Sequence, residues 1–247
     1  MIKLRNVSKY YPMKGGGVHH VLRDVSFDIP GNQNIAILGP NGAGKSTLLR
    51  IIGGAEAPNS GVIETKASIS WPLGVKAGFQ GSLTGRQNLL FVCRINGLNK
   101  ADIQKVVDAV YDFSELGEYF DMPVKTYSSG MRARLCFGLS VNFDFDYYLI
   151  DELTSVGDST FREKAKQEFE EIKKSSALIF VSHSMKMLKQ TCDSAIFLNQ
   201  GKLVYYDDVR EGIRAYRDFM QDINPSLRNK KRQPKHLRKK SSHNHED

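Results

Sequence analysis

The chain has 247 residues, 40% hydrophobic and 25% charged, proportions of a soluble globular protein long enough to bury a substantial core. No stretch approaches the roughly 20 apolar residues that a membrane-spanning helix needs, and Met1-Ile2-Lys3-Leu4-Arg5-Asn6 lacks the apolar core of a secretory signal. The net charge of +8 raises the question of nucleic acid, but from Pro225 onward eight Lys/Arg face two acids, which leaves only about +2 for the rest. The basic excess belongs to a tail, so no nucleic-acid partner is expected. Cys93, Cys136 and Cys192 lie far apart without CxxC spacing, the pattern of buried reduced thiols in a cytosolic protein.

Residues 1 to about 30 alternate as half-buried antiparallel strands, with Ile2, Leu4 and Val7 followed by Val25, Phe27 and Ile29, and Gly15-Gly16-Gly17 marking a loop between them. Ile35-Ala36-Ile37-Leu38 is a short continuous apolar run, as a parallel strand covered on both faces requires. A glycine-rich turn follows, and then a helix beginning near Lys45. From about 83 to 140 the signal changes: Thr84 to Asn96, Asn99 to Phe113 and Gly130 to Asn142 carry helical patterns, with Asn99 before Asp102 resembling an N-terminal cap. Strands return at Tyr147–Ile150, Ala177–Val181 and Ala195–Leu198, with a charged helix from Asp158 to Lys174 between the first two. The turn Asn199-Gln200-Gly201-Lys202 predicts a hairpin into Leu203–Tyr206, and a last helix spans about Asp208 to Met220. Strands alternating with helices imply a mostly parallel α/β sheet. The expected division is one domain over 1–220, with a helical insert at about 83–140, and a disordered basic tail over 221–247.

Gly39-Pro40-Asn41-Gly42-Ala43-Gly44-Lys45-Ser46 fits the pattern G-x-x-x-x-G-K-[ST] in the required place, directly after an apolar strand and opening a helix. Its glycines let consecutive backbone N–H groups turn inward as an anion nest, and the helix N-terminus adds its positive end. Lys45 can reach the β- and γ-phosphates of a nucleotide, and the Ser46 hydroxyl can ligate Mg²⁺. Tyr147-Tyr148-Leu149-Ile150-Asp151-Glu152 is an apolar strand ending in two acids, at the strand end where open α/β sheets bind ligands. Asp151 is placed to hold the metal shell and Glu152 to polarise an attacking water. Strands often end in solvated acids, so this pair draws its meaning from the cradle.

Lys125-Thr126-Tyr127-Ser128-Ser129-Gly130-Met131-Arg132 precedes a helix and lies a short way before Asp151. Here the sequence resembles the ABC ATPase family, whose Leu-Ser-Gly-Gly-Gln signature occupies that place; Tyr127-Ser128-Ser129-Gly130-Met131 keeps the first serine and the second glycine. The resemblance covers about residues 1 to 220. It implies a P-loop NTPase (RecA-like) core with an N-terminal antiparallel β subdomain and an inserted helical subdomain. It also implies ATP with Mg²⁺, and ATP binding through Tyr11, Gly39, Pro40, Asn41, Gly42, Ala43, Gly44, Lys45, Ser46, Thr47 and Gln80.

Within that resemblance Tyr11 matches the aromatic that stacks on adenine. Gln80 matches the glutamine that senses metal and γ-phosphate and couples to the membrane partner. Ser155-Val156-Gly157-Asp158 matches the loop through which the two sites communicate, by way of Asp158. His183 matches the switch histidine at the γ-phosphate. Catalysis would fall to Glu152, His183 and Lys45, with the metal held by Ser46, Gln80 and Asp151. Each motif also has a structural alternative: Tyr11 as a strand aromatic with Tyr10 as rival, Gln80 as a loop glutamine with Gln87 nearby, His183 as the cap of the following helix.

In the family, the helix tip at Ser128, Ser129, Gly130 and Met131 closes over ATP held by another copy, so a homodimer with two ATP molecules at its interface is implied. Leu153-Thr154 in place of Pro-Thr, the altered Ser155–Asp158 loop and Trp71-Pro72-Leu73-Gly74 resemble bacterial capsular polysaccharide exporters. O-antigen and teichoic acid exporters are the alternative, though their ATPases often carry a further C-terminal domain. Soluble relatives acting on ribosomes or DNA usually fuse two cassettes or insert a long coiled coil. The resemblance thus implies an ATPase subunit bound to integral membrane permease subunits, peripheral on the cytoplasmic side of the inner membrane. Clustered Lys/Arg in the tail would add about 1 kcal/mol each near anionic lipid.

Overall fold

The computed structural model describes residues 1–73, 79–151 and 159–224. β1 (Ile2–Pro12) and β2 (Val18–Ile29) form an antiparallel pair, with Ile2 opposite Ile29 and Tyr11 opposite His19. Ile2, Leu4 and Val7 are all fully buried, and the register shift between Leu4 and Val7 re-phases the strand so that an odd-numbered residue returns to the core. β4 (Ser60–Thr65) joins the other side of β1 to give the order β2-β1-β4. It escaped the sequence reading because only Ile63 of its six residues is even half-buried; the backbone ladder to β1 holds it.

The second sheet has the order β5-β6-β3-β7-β8, built from β3 (Ile35–Leu38), β5 (Tyr147–Asp151), β6 (Ala177–Val181), β7 (Ser194–Asn199) and β8 (Lys202–Tyr206). All pairings are parallel except the hairpin β7–β8. Every residue of β3 and β6 is buried, because helices or the first sheet cover both faces. On one face Ile35, Ile37, Leu149 and Ile179 pack with α1 (Lys45–Ile52) and the N-terminal sheet. On the other, Ala36, Leu38, Ile150 and Phe180 pack with residues of α5 (Ser159–Ser175), α6 (Met185–Thr191) and α7 (Val209–Ile223). Burying a side chain such as Phe180 is worth about 1.5–3 kcal/mol. α7 runs past Met220 to Ile223, since nothing in the sequence breaks it before Asn224-Pro225.

Between β4 and β5 lies the helical insert: α2 (Gly85–Ile95), α3 (Lys100–Ser114), two short 3-10 turns at Gly117–Asp121 and Val124–Thr126, and α4 (Ser129–Val141). It has a core of its own, around Leu89, Val110, Phe120, Leu135 and Leu139. The expected cap forms, with Asn99 accepting from the Asp102 N–H, and Thr84 adds a reciprocal capping box with Gln87. An aromatic seam joins the insert to the sheet domain, with the Phe161 ring of α5 lying 5.3 Å from Phe113 and 6.4 Å from Phe137.

Candidate nucleotide site

Three neighbouring parallel strands bring the predicted catalytic positions to one edge. Ala36 of β3 and Ile150 of β5 both pair with Phe180 of the intervening β6, and Asp151 pairs with Val181. Gly39 and His183, in the loops that follow β3 and β6, and Asp151, the last residue of β5, therefore lie at the C-terminal edge of the sheet. The segment 68–73 runs alongside β5 in the same direction: the Tyr147 N–H donates to Ser68 O at 3.1 Å, and the Leu73 N–H to Leu149 O at 2.7 Å. It thus brings Leu73 beside Ile150, near the same edge.

The loop from Gly39 to Gly44 turns into α1 through Gly44, whose φ of 98° lies in the left-handed region. A Cβ there would fall 2.1 Å from Val21 Cγ1, and one at Gly39 would fall 2.4 Å from the Leu198 carbonyl oxygen, so both positions demand glycine. No side chain caps α1, and its first turn holds no acid. A helix start of this kind suits an anionic ligand. The Lys45 ammonium folds over the loop, donating to Gly39 O at 2.8 Å and Pro40 O at 3.0 Å. Asn41 and Gly42 are exposed, Pro40, Ala43 and Ser46 half-buried and Thr47 buried. Amide donors, an ammonium and a hydroxyl form a donor set that fits a magnesium-bound triphosphate.

Asp151 is half-buried at the end of β5. His183 is exposed, and Ser184 rather than His183 caps α6, by accepting from the Met187 N–H at 3.3 Å. That removes the capping alternative for the histidine. Gln80 is exposed, and its rival Gln87 is committed to the Thr84 capping box. Glu152, Asp158 and the intervening loop lie outside the described residues.

A sequence profile described as ABC transporter matches residues 22–155. The polysialic acid transport ATP-binding protein KpsT of Escherichia coli is 53% identical over 88% of this chain and 99% of its own. BexA of Haemophilus influenzae is 47% identical over 88% and 99%, and the capsule polysaccharide export ATP-binding protein CtrD of Neisseria meningitidis serogroup B 48% identical over 87% and 98%. The chain belongs to the ABC transporter family.

Its fold is that of the family's ATP-binding cassettes. The dimeric post-hydrolysis structure of the cassette MJ0796 bound to ADP and Pi superposes with a TM-score of 0.69 at 22% identity, covering 85% of this chain and 99% of that one. As an ABC transporter ATPase the chain binds nucleotide. No helix among the described residues is long and apolar enough to cross a membrane.

The segment that resembles the ABC signature, Tyr127–Met131, leads into α4. Ser128 is its N-cap, with Oγ accepting from the Met131 N–H at 3.1 Å; Ser128 and Ser129 are exposed, Gly130 and Met131 half-buried. The preceding Tyr127 anchors the turn, its buried ring donating a 2.6 Å hydrogen bond to Tyr119 O. Arg132 Nη1 donates to the Tyr127 carbonyl at 2.6 Å.

The two candidate tyrosines point to different surroundings. Tyr10 is exposed and lies against His20, with ring centroids 5.5 Å apart. Tyr11 is half-buried and donates its hydroxyl to Glu56 Oε1 at 2.5 Å, on the side of the cradle helix.

Two residues that support the site went unread in the sequence. Asn88, 2% exposed, accepts from the Gln80 N–H at 2.8 Å and donates to the carbonyls of Gln80, Leu83 and Thr84, so one side chain fixes the loop. Its only signal was an asparagine on the buried side of a helix. Glu56 carried less still, since a lone acid after a helix is normally solvated.

Proposed function

We propose that the chain is the ATP-hydrolysing subunit of a bacterial capsular polysaccharide exporter, working as a homodimer with integral permease subunits on the cytoplasmic side of the inner membrane. The observation that carries the reading is the uncapped, glycine-entered N-terminus of α1 beside Asp151, at the edge where three parallel strands end. Identity of 47–53% over 87–88% of this chain with KpsT, BexA and CtrD supports the capsule assignment over the teichoic acids export ATP-binding protein TagH of Bacillus cereus, which is 36% identical and matched over 43% of its own length.

In this reading the N–H groups of the Gly39–Thr47 turn and the Lys45 ammonium hold the β- and γ-phosphates, while Tyr11 stacks on adenine. Mg²⁺, held through Ser46, Asp151 and Gln80, would neutralise charge on those phosphates. Glu152 accepts a proton from the water that attacks the γ-phosphorus, His183 steadies the γ-phosphate, and ADP and phosphate leave. Ser128, Ser129, Gly130 and Met131 of a second copy close over the same γ-phosphate. ATP then holds the dimer together, hydrolysis loosens it, and Asp158 relays between the two sites.

The test uses Glu152→Gln. The variant is expected to bind ATP, to accumulate as a dimer and to lose about 100-fold or more in turnover. In the source bacterium it should leave the capsule inside the cell while the unaltered gene restores export. Unchanged turnover would remove Glu152 from its role, and normal surface polysaccharide in a strain lacking the gene would remove the capsule assignment.

A further inference from the structure

Glu56 sits where the cradle helix and β1 meet. After α1, the Ala55 and Glu56 N–H groups turn back to the Arg50 carbonyl at 2.9 and 3.2 Å, which returns the chain to the last turn of the helix. The next residues are stapled to β1: Lys9 Nζ donates to Ala57 O at 2.8 Å, the Tyr10 N–H to Asn59 Oδ1 at 2.9 Å, and the Asn59 N–H to Ser8 O at 2.9 Å. At the centre, the two oxygens of Glu56 divide their partners. Oε1 accepts from the Tyr11 hydroxyl at 2.5 Å and lies 2.9 Å from Lys9 Nζ; Oε2 accepts from Arg50 Nε at 3.0 Å. Arg50 Nη2 donates onward to Thr47 Oγ1 at 3.1 Å, inside the first turn of the cradle helix. Burial works against ionisation of Glu56, but hydrogen bonds from Tyr11, Lys9 and Arg50 outweigh it and bring the carboxyl down to about 2. At neutral pH it is a full charge, the strongest acceptor a phenol can meet.

We propose that Glu56 is a positioning residue that fixes the Tyr11 ring relative to the phosphate cradle, through the chain Tyr11–Glu56–Arg50–Thr47. The inference rests on the reading of Tyr11 as the adenine platform and assigns what holds that platform still. A phenol free to turn about its two side-chain torsions stacks on a base only after being ordered. Here the ordering precedes the ligand, and it is referenced to the helix that holds the phosphates. A purely structural ion pair would need only Lys9 or Arg50; the hydroxyl of Tyr11 on the same oxygen as Lys9, and Thr47 at the far end, tie base side to phosphate side.

The experiment compares binding of ATP with that of inorganic tripolyphosphate, each with Mg²⁺, by calorimetry on the full chain. The variants are Tyr11→Phe, Glu56→Ala and Tyr11→Ala. Tripolyphosphate has no base, so general damage to the fold or a change in local charge moves both ligands, whereas a misplaced ring moves only their ratio. A stacked base contributes roughly five- to 150-fold in affinity. The ATP-to-tripolyphosphate ratio is expected to fall about threefold in Tyr11→Phe and about tenfold in Glu56→Ala. A ratio unchanged in both overturns the clamp while leaving the platform standing if Tyr11→Ala still lowers it. A ratio unchanged in Tyr11→Ala as well overturns the platform itself. Should Glu56→Ala fail to fold, Tyr11→Phe, which removes one oxygen and no charge, decides alone.

Discussion

The cradle helix α1 and the signature helix α4 both present an N-terminus to a phosphate in the proposed dimer, and they are built in opposite ways. α1 is entered through a left-handed glycine, has no side-chain cap and is packed between two sheets. α4 is entered through Ser128, whose hydroxyl already satisfies the Met131 N–H, and it belongs to an insert with its own core. An uncapped helix start offers its leading N–H groups to an anion; a capped one has already given one of them, here that of Met131, to its own serine. In the proposed dimer the cradle then sets nucleotide affinity and the α4 tip acts second, on a phosphate already bound. The insert meets the sheet domain at the Phe113–Phe161–Phe137 seam and through Glu115, which pairs with Lys164 of α5 at 2.9 Å and Arg134 of α4 at 3.6 Å.

The largest expected effect breaks the comparison on the cradle side. In Lys45→Ala the ammonium that bridges Gly39 O and Pro40 O is gone, and with it the cation facing the triphosphate. Truncating one partner of a desolvated charge pair costs about 2–5 kcal/mol, so ATP affinity should fall roughly 30- to 5,000-fold by calorimetry. The melting temperature without nucleotide should barely move, because Lys45 is half-buried and supports no core. Retained tight binding would show that affinity does not reside in the uncapped helix.

The next effect falls on the loop that leads into the insert. Asn88→Ala leaves the Gln80 N–H and three carbonyls of the Gln80–Thr84 loop without their shared partner, inside a site 2% exposed. A loss of about 2–3 kcal/mol of stability is expected by urea unfolding. The hydrolysis rate should drop more than ATP affinity, since Gln80 is proposed to act on the bound phosphate. Equal losses in both would mean that Asn88 serves the fold alone.

These same regions differ in how far the sequence revealed them. β3, β5 and β6 were legible because burial on both faces forces unbroken apolar runs, and the cradle because its glycines answer steric contacts with Val21 and Leu198 that no other residue survives. β4 and the segment 68–73 were not: β4 is held by its backbone ladder to β1, and 68–73 by partners distant in the chain, such as Asp146 for Ser68 and Ser140, Phe143 and Phe145 for Trp71. The sequence left His183 open as the cap of α6, a place Ser184 takes, and Tyr10 and Tyr11 as rivals for one surface, because adjacent residues differ in direction rather than in local pattern. Cα geometry, not composition, separates them. Long-range partners such as Asn88 with Gln80 or Glu56 with Tyr11 join residues whose local surroundings give no sign of the contact.

The smallest effect sharpens the comparison from the signature side. In Ser128→Ala the Met131 N–H loses its cap, and helix-cap removals of this kind cost about 1 kcal/mol. Because the insert has its own core, that loss should appear as a modest drop in the unfolding midpoint, without the collapse expected of a core deletion. The two helix starts then predict opposite dependence on protein concentration. At dilutions where the chain is a monomer, ATP affinity in Ser128→Ala should stay within about twofold of the unaltered protein, since the cradle alone sets it. At concentrations where ATP draws two copies together, turnover should fall and the apparent dimer affinity weaken, because the serine that meets the partner's phosphate is missing. A monomer affinity that falls as far as it does in Lys45→Ala would mean that α4 reaches the nucleotide of its own chain, and the division between a binding helix and a closing helix would have to be withdrawn.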